Sequence, residues 1–97
     1  MKRAYELALI VRMDPNQSVI DEVLNQVKTW VEADDLGEVV TSNIWGQRRL
    51  AYEIDKQRDG YYVFMNANID PKGLNELETN LKLTPAVLRY LIVRQET

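Results

Sequence analysis

The spacing of the apolar residues changes from segment to segment along this chain, and the order of those spacings constrains the fold more than any other feature. In residues 4–12 apolar side chains occupy every second position, which is typical of a strand with one buried face. In residues 17–33 they recur every three or four positions, which is typical of an amphipathic helix. The predicted elements are, in order, strand 4–12, helix 17–33, strand 38–52, strand 61–69, a short helix that starts at Asp70-Pro71 and ends by residue 84, and strand 87–94.

The resulting order, βαββαβ, predicts the fold class. Two helices that each join two strands can cover one face of a four-stranded antiparallel sheet, which is the ferredoxin-like arrangement. We therefore predict an α+β fold of this kind, with strand order 4-1-3-2 and both helices on one face. At 97 residues the chain is short enough to predict a single domain over residues 1–97, with residues 95–97 expected to fray.

Residues near the ends of these elements predict their boundaries. Ser18 with Asp21 three residues later resembles a capping box for the first helix, and Asn16 is an equally plausible N-cap. Gly46 interrupts the alternation of the second strand, which predicts a β-bulge or a close backbone approach. Residues 55–60 are polar and charged, and they predict the turn of a hairpin.

The composition excludes much of enzyme chemistry. The chain contains no cysteine and no histidine, which removes disulfides, thiolate and imidazole metal ligands, and any histidine general base. Asp14 and the adjacent pair Asp34-Asp35 are most simply solvated carboxylates near helix ends, because no set of ligands surrounds them. We therefore expect no metal and no cofactor, and a binding or structural role in place of an enzymatic one.

Charge and hydropathy restrict the partners. The net charge of −3 argues against a strongly basic nucleic-acid binder, but residues 1–38 carry four basic and eight acidic side chains, whereas residues 39–97 carry eight and seven. The longest apolar run, Leu7 to Val11, is far shorter than a membrane span, and no apolar signal region follows Lys2-Arg3. A soluble, non-exported protein with no membrane partner is predicted, and a cytoplasmic location fits the absence of cysteine.

One face of the predicted sheet carries no helix and is apolar. Alternation in three strands places six residues on it: Ala8, Ile10, Tyr62, Phe64, Leu91 and Val93. We expect these side chains to form one patch bordered by Arg12, Arg89 and Arg94. Because monomers rarely expose such a patch without a partner, the patch predicts a binding surface.

The second strand ends in a stretch rich in charge. Four basic and three acidic residues lie between Arg48 and Asp59. Long cationic side chains at the end of a hairpin can reach phosphates while the strands hold them in place. The spacing alone is also compatible with an edge strand whose charges discourage aggregation.

The same stretch carries the residues GQRRLAYEI at positions 46–54. They resemble the signature of the bacterial small-subunit (30S) ribosomal protein number six family, which is a glycine, a variable residue, a basic residue, a polar or charged residue, Leu, Ala or Ser, Tyr, any residue and Ile. Residues 2–6, 14–16, 60–62 and 87–90 are also similar to features of that family. The resemblance therefore covers nearly the whole chain.

The resemblance implies a function. It implies a ferredoxin-like, non-catalytic structural component of the small ribosomal subunit, located on the ribosome in the cytoplasm. It also implies binding to the central domain of small-subunit ribosomal RNA together with the eighteenth small-subunit ribosomal protein, with no small-molecule substrate. Asp55 departs from the basic or small residue that usually follows the signature, which weakens the case for a phosphate contact by this turn.

Two sets of site residues follow from the resemblance and the residue types. Candidate contacts with RNA are Lys2, Arg3, Arg48, Arg49, Lys56, Arg58, Arg89 and Arg94. Candidate contacts with the partner protein are Ile10, Leu50, Tyr52, Tyr62, Phe64, Leu91 and Val93. Leu50 and Tyr52 are equally compatible with the core. Trp45 is compatible with either the core or the interface, whereas Trp30, on the apolar stripe of the first helix, is expected in the core.

Other proteins of the same architecture are less compatible with the sequence. Acylphosphatases cradle phosphate with glycine-rich amides in the first strand-to-helix loop, but residues 12–16 contain no glycine. RNA recognition motifs place stacking aromatics in the third strand, where this chain has Val63 at a stacking position. A dimeric ferredoxin-like small-molecule sensor or regulatory domain explains the apolar face without RNA, and it stays open as the alternative function.

Overall fold

Residues 1–95 are described by a computed structural model of the chain, and they form the predicted succession of elements. The elements are β1 (Arg3–Arg12), α1 (Gln17–Glu32), a 3-10 turn (Ala33–Asp35), β2 (Gly37–Ile54), β3 (Gln57–Ile69), α2 (Pro71–Lys82) and β4 (Val87–Arg94). The predicted fraying is wrong for Gln95, whose backbone amide donates to the Ala4 carbonyl at 2.9 Å. Residues 96 and 97, for which fraying was also expected, lie outside the described residues.

The strands form one antiparallel sheet in the order β2-β3-β1-β4, which confirms the predicted ferredoxin-like topology. β1 lies in the interior of the sheet, with Leu9 opposite Val63 of β3 and opposite Tyr90 of β4. Directly opposed residues point to the same face of a sheet. The alternation in β1 therefore sets the two faces of the whole sheet.

Both helices begin where a polar side chain caps them. Asn16, not Ser18, is the N-cap of α1, and its side-chain oxygen accepts from the Ser18 amide at 3.0 Å. Asp70 caps α2 in the same way, accepting from the Lys72 amide at 3.0 Å, and Pro71 gives up no hydrogen bond at the first helical position. Within residues 1–95, no helix is long and apolar enough to cross a membrane.

The hydrophobic core lies between these helices and one face of the sheet. Its most deeply buried side chains are Leu7, Leu9, Val11, Ile20, Val27, Val63, Ile69, Leu77 and Leu81. Trp30 packs against the core and is half-buried, in agreement with its predicted position on the apolar stripe of α1. Burial of each such aliphatic side chain is worth about 1.5–3 kcal/mol, so this face of the sheet supplies most of the stabilising burial.

The hairpin formed by β2 and β3 is tighter than predicted. β3 begins at Gln57, and the turn consists only of Asp55 and Lys56. Both turn residues have positive φ, 49° and 63°, as in a two-residue type I′ turn. The predicted bulge is confirmed, because the pairing of β2 with β3 shifts between Ile44 and Gly46, and Gly46 has a φ of 79°.

Candidate functional site

The face of the sheet opposite the helices, called the open face from here on, carries the six residues predicted for it: Ala8, Ile10, Tyr62, Phe64, Leu91 and Val93. Ala8 lies at its centre, opposite Phe64 on one side and Leu91 on the other. Leu91 is 60% exposed and Val93 is 41% exposed, although both are apolar. Because the helices pack on the other face, these side chains remain accessible to a partner.

Trp45 enlarges this apolar surface. It is the unpaired residue of the bulge before Gly46, and the bulge turns it toward Phe64. The two ring centroids lie 4.8 Å apart with a tilt of 57°, and Trp45 is 50% exposed. The Arg48 guanidinium lies over the indole at 6.0 Å from its centroid. Of the two roles open to Trp45, core or interface, the structure favours an accessible position beside the patch.

The residues from Leu50 to Arg58, called the hairpin tip from here on, bend over one end of the open face. Pairing of β2 with β3 shifts between Arg49 and Ile54, so this part of β2 is no longer a regular ladder. Leu50 occupies the space above Gly60 and is only 8% exposed. This partner-contact candidate is thus already covered by its own chain.

Two contacts tie the hairpin tip to the opposite side of the sheet. The Arg12 guanidinium donates to the Asp55 carboxylate, and it also reaches the Pro85 carbonyl at 3.4 Å. The Arg89 guanidinium lies over the Tyr52 ring, 5.5 Å from its centroid. Since Arg12 ends β1 and Arg89 belongs to β4, the tip crosses the sheet from its β2 edge to its β4 edge.

The basic residues of the hairpin do not share one surface. Arg48 lies on the open face, whereas Arg49 pairs with Asp59 in the ladder and lies on the helix side. Arg58 forms an exposed ion pair with Glu53 at 3.6 Å. The structure therefore brings Arg48 to the apolar patch and directs Arg49 away from it.

The basic residues of β4 also divide between the faces. Arg89 lies on the open face, opposite Ile10. Arg94 lies opposite Tyr5, which belongs to the core, so the prediction that Arg94 borders the open-face patch is wrong. Adjacent strand residues point to opposite faces, and Val93 already occupies the open side. Lys56 is exposed at the turn of the hairpin.

The chain start is tied to the cap of α2. The amine of Met1 donates to the Asp70 carboxylate at 3.1 Å. The hydrogen bond from the Lys72 amide, followed by the one from Met1, holds the pKa of Asp70 below its ordinary value of 3.8. Lys2 and Arg3 are exposed beside this contact, far along β1 from the hairpin tip.

The helix side of the molecule is acidic. Its exposed carboxylates in α1 and the 3-10 turn are Asp21, Glu22, Glu32, Asp34 and Asp35. No group of three or more potential metal ligands occurs among residues 1–95. Exposed carboxylates therefore cluster on the side of the sheet that faces away from Arg48 and Arg89.

Sequence reasoning missed two features of this site. The first is the ion pair of Arg12 with Asp55, whose partners are 43 positions apart in the chain. The second is the stacking of Trp45 on Phe64, for which the predicted bulge at Gly46 was the available signal, because a bulge re-aims the residue before it.

Comparison with known proteins identifies the family. Residues 4–94 match the family model described as Ribosomal protein S6. The chain belongs to the ribosomal protein S6 family. Small ribosomal subunit protein bS6 of Thermoanaerobacter pseudethanolicus is 40% identical to it over 94 residues, which cover 97% of this chain and 98% of that protein. The bS6 protein of Alkaliphilus metalliredigens is 41% identical over 93 residues, covering 93% and 94%.

Solved structures support the same assignment. The crystal structure of 30S ribosomal protein S6 from Thermotoga maritima matches with a TM-score of 0.90 at 27% identity, covering 98% of this chain and 89% of that one. The C-terminal domain of MgtC from Mycobacterium tuberculosis, at 14% identity and a TM-score of 0.59, shares the fold alone. The resemblance based on residues 46–54 is thus confirmed. As a family member, the chain is a structural protein of the small ribosomal subunit in the bacterial cytoplasm, so ribosomal RNA is a component of its assembly.

Proposed function

We propose that this S6 family member, acting as one domain over residues 1–97, binds the central domain of small-subunit ribosomal RNA together with the eighteenth small-subunit ribosomal protein. The observation that carries the proposal is the open face, which is apolar in the middle, has Arg48 and Arg89 at its margins and lies opposite the helices. Such a surface suits a ribonucleoprotein junction, where one partner supplies apolar contacts and the other supplies phosphates.

The apolar centre of the open face binds the partner protein. Phe64, Tyr62 and Leu91 provide contiguous apolar and aromatic surface, with Trp45 stacked at the edge. Aromatic side chains are over-represented among residues that dominate binding energy at protein interfaces. Leu50 contributes indirectly, because it is buried over Gly60 and supports the surface from within its own chain.

The arginines at the margins bind RNA. Arg48 and Arg89 each lie over an aromatic ring, which orients the guanidinium while leaving its donors available for phosphate or sugar oxygens. Arg49, Arg58, Lys56, Lys2, Arg3 and Arg94 lie outside the open-face patch and would reach only RNA segments that pass beside it. The acidic helix side points away from such an RNA, so the net charge of −3 does not oppose binding at the open face.

The RNA contact is tested by the salt dependence of assembly. Arg48→Ala with Arg49→Ala should weaken binding to a central-domain RNA fragment in the presence of the partner protein. Each lost phosphate contact lowers the slope of log affinity against log salt by about 0.7 to 0.9. The control Lys28→Ala with Lys82→Ala removes the same charge from exposed positions on the helices. An unchanged slope for the arginine variant would contradict direct contact.

The protein contact is tested at Phe64. Phe64→Ala should reduce affinity for the eighteenth small-subunit protein by about 1 to 3 kcal/mol, measured by calorimetry. The control Val19→Ala removes an exposed apolar side chain from α1 and should leave that affinity unchanged. A large fall in stability with unchanged affinity would place Phe64 in a purely structural role. Self-association at micromolar concentration without RNA affinity would favour the regulatory-domain alternative.

A further inference from the structure

The hairpin tip adopts a conformation that its own turn sequence does not favour. A two-residue type I′ turn is best satisfied by Asn-Gly or Asp-Gly, because both residues need positive φ. This chain has Lys56 at the second position, with a φ of 63°, and a side chain with a β-carbon is strained in that region. Contacts outside the turn must therefore help to hold the tip in place.

Arg12 is placed to supply that restraint. Its guanidinium joins three separate parts of the chain: the end of β1, the Asp55 carboxylate in the turn and the Pro85 carbonyl before β4. Its side chain is 32% exposed and that of Asp55 is 67% exposed, so the pair lies at the surface and is not part of the core. A surface pair of this kind adds little to global stability, so the effect of breaking it is expected in the hairpin tip and not in the stability of the whole fold.

The hairpin tip carries Tyr52, which contacts one of the two arginines that the proposed function assigns to RNA binding. Tyr52 lies in the tip and contacts Arg89, while Arg48 stands at its base beside Trp45. If the tip were released, Tyr52 would no longer orient the Arg89 guanidinium, whereas Arg48 would keep its place in the ladder opposite Gly60. Binding that depends on the Arg89 guanidinium would then lose its preorganisation.

We propose that Asp55 and Arg12 are positioning residues for ribonucleoprotein assembly: their ion pair pins the hairpin tip across the sheet so that Tyr52 stays against Arg89 and holds its guanidinium in place on the open face. This inference rests on the proposed function. It also accounts for the carboxylate that follows the GQRRLAYEI motif, since the Asp55 side chain pairs with Arg12 and its role is not to meet phosphate.

The negative charge of Asp55 separates a positioning role from a purely electrostatic one. Removal of a carboxylate near a phosphate-binding surface should by itself strengthen RNA binding. Loss of positioning should weaken it, so the two effects have opposite signs. Glu53→Gln is the matched control, because Glu53 lies on the same tip, carries the same charge and pairs with Arg58 instead of Arg12.

The experiment measures affinity for a central-domain RNA fragment in the presence of the partner protein. Asp55→Asn should weaken binding by about two- to five-fold, the equivalent of one surface ion pair, whereas Glu53→Gln should leave it unchanged or strengthen it. The melting temperature should stay constant for both variants. Hydrogen exchange of the amides in the hairpin tip should accelerate only in Asp55→Asn.

A charge swap completes the test. The double variant Arg12→Glu with Asp55→Lys restores the ion pair in reverse, and it should recover affinity lost by either single change. No recovery, or equal or tighter binding by Asp55→Asn, would overturn the proposal. Failure of the unaltered protein to bind RNA and partner would instead overturn the proposed function, and tip hydrogen exchange would still decide whether Asp55 restrains the hairpin.

Discussion

The two faces of this sheet are both apolar, yet only one of them is sealed by the chain itself. On the helix side, Leu7 is fully buried beneath α1 and α2, whereas on the open face Leu91, in the edge strand β4, is 60% exposed. The same residue type thus serves folding on one face and remains available for association on the other. Hydrophobicity alone does not distinguish core from interface; the position of the helices does.

The largest expected effect tests this difference directly. Leu7→Ala should lower the free energy of unfolding by about 3 to 4 kcal/mol, because it leaves a cavity in a sealed core. Leu91→Ala should lower it by less than about 1 kcal/mol, since the side chain already faces solvent. Urea denaturation of both variants measures the two values. Equal losses would show that the open face is part of the folding core.

One glycine on each face of the sheet reports how tightly that face is packed. A β-carbon at Gly37 would lie 2.4 Å from the backbone carbonyl oxygen of Val31, while one at Gly60 would lie 2.3 Å from a methyl of Ile10. We expect Gly37→Ala to cost about 2 to 3 kcal/mol and Gly60→Ala about 1 to 2 kcal/mol, because a side chain on the open face can turn aside. Thermal unfolding checks the order, and the reverse order would mean that the open face is packed as rigidly as the sealed one.

The turn of the hairpin should show a smaller effect of opposite sign. Lys56→Gly relieves the strain of a positive φ at the cost of some chain entropy, so the free energy of unfolding should rise by up to about 1 kcal/mol. Gly46→Ala is the reciprocal variant, because it introduces a β-carbon at a φ of 79° with no atom of residues 1–95 outside its immediate neighbours within 4 Å. It should destabilise by about 1 kcal/mol, and stabilisation by Gly46→Ala would contradict the reasoning from backbone strain.

The smallest effect concerns the sealed side and appears only in acid. The pKa of Asp70 is lower in the folded protein than its ordinary value of 3.8, so its ionised form contributes stability above pH 3.8 that is lost as the pH falls through the folded pKa. Asp70→Asn keeps a capping oxygen but removes this dependence. Below pH 4 the melting temperature of this variant should therefore fall less steeply with decreasing pH than that of the unaltered protein, with little difference between the two near neutral pH.

The sequence predicted the layout of the molecule well because its signals are local. Alternation in β1 and β3, the capping residue Asp70 and the bulge at Gly46 each act within a few residues. The order of elements then restricts the sheet to few topologies. These local features are sufficient to position the open face.

The parts that escaped prediction depend on distant residues or on exact strand register. The tight turn at Asp55 and Lys56 lacks the glycine that usually marks a type I′ turn. The sequence therefore predicts that β3 starts at residue 61, whereas it starts at Gln57. The sequence pattern predicts the correct face for Val93 but the wrong one for its neighbour Arg94. The pairing of Arg12 with Asp55 follows from the bend of the hairpin tip, which no local pattern encodes.

Hydroxyl-radical footprinting of the protein, free and in complex with the RNA fragment and the partner protein, would identify the binding surface directly. If the open face is the binding surface, oxidation of Tyr52, Trp45 and Leu91, all at least half exposed in the free chain, should fall strongly in the complex. Leu83 on the helix side, which is 75% exposed, should remain as reactive as before. Protection of Leu83 with undiminished oxidation of the open-side residues would contradict the central claim that the open face is the binding surface.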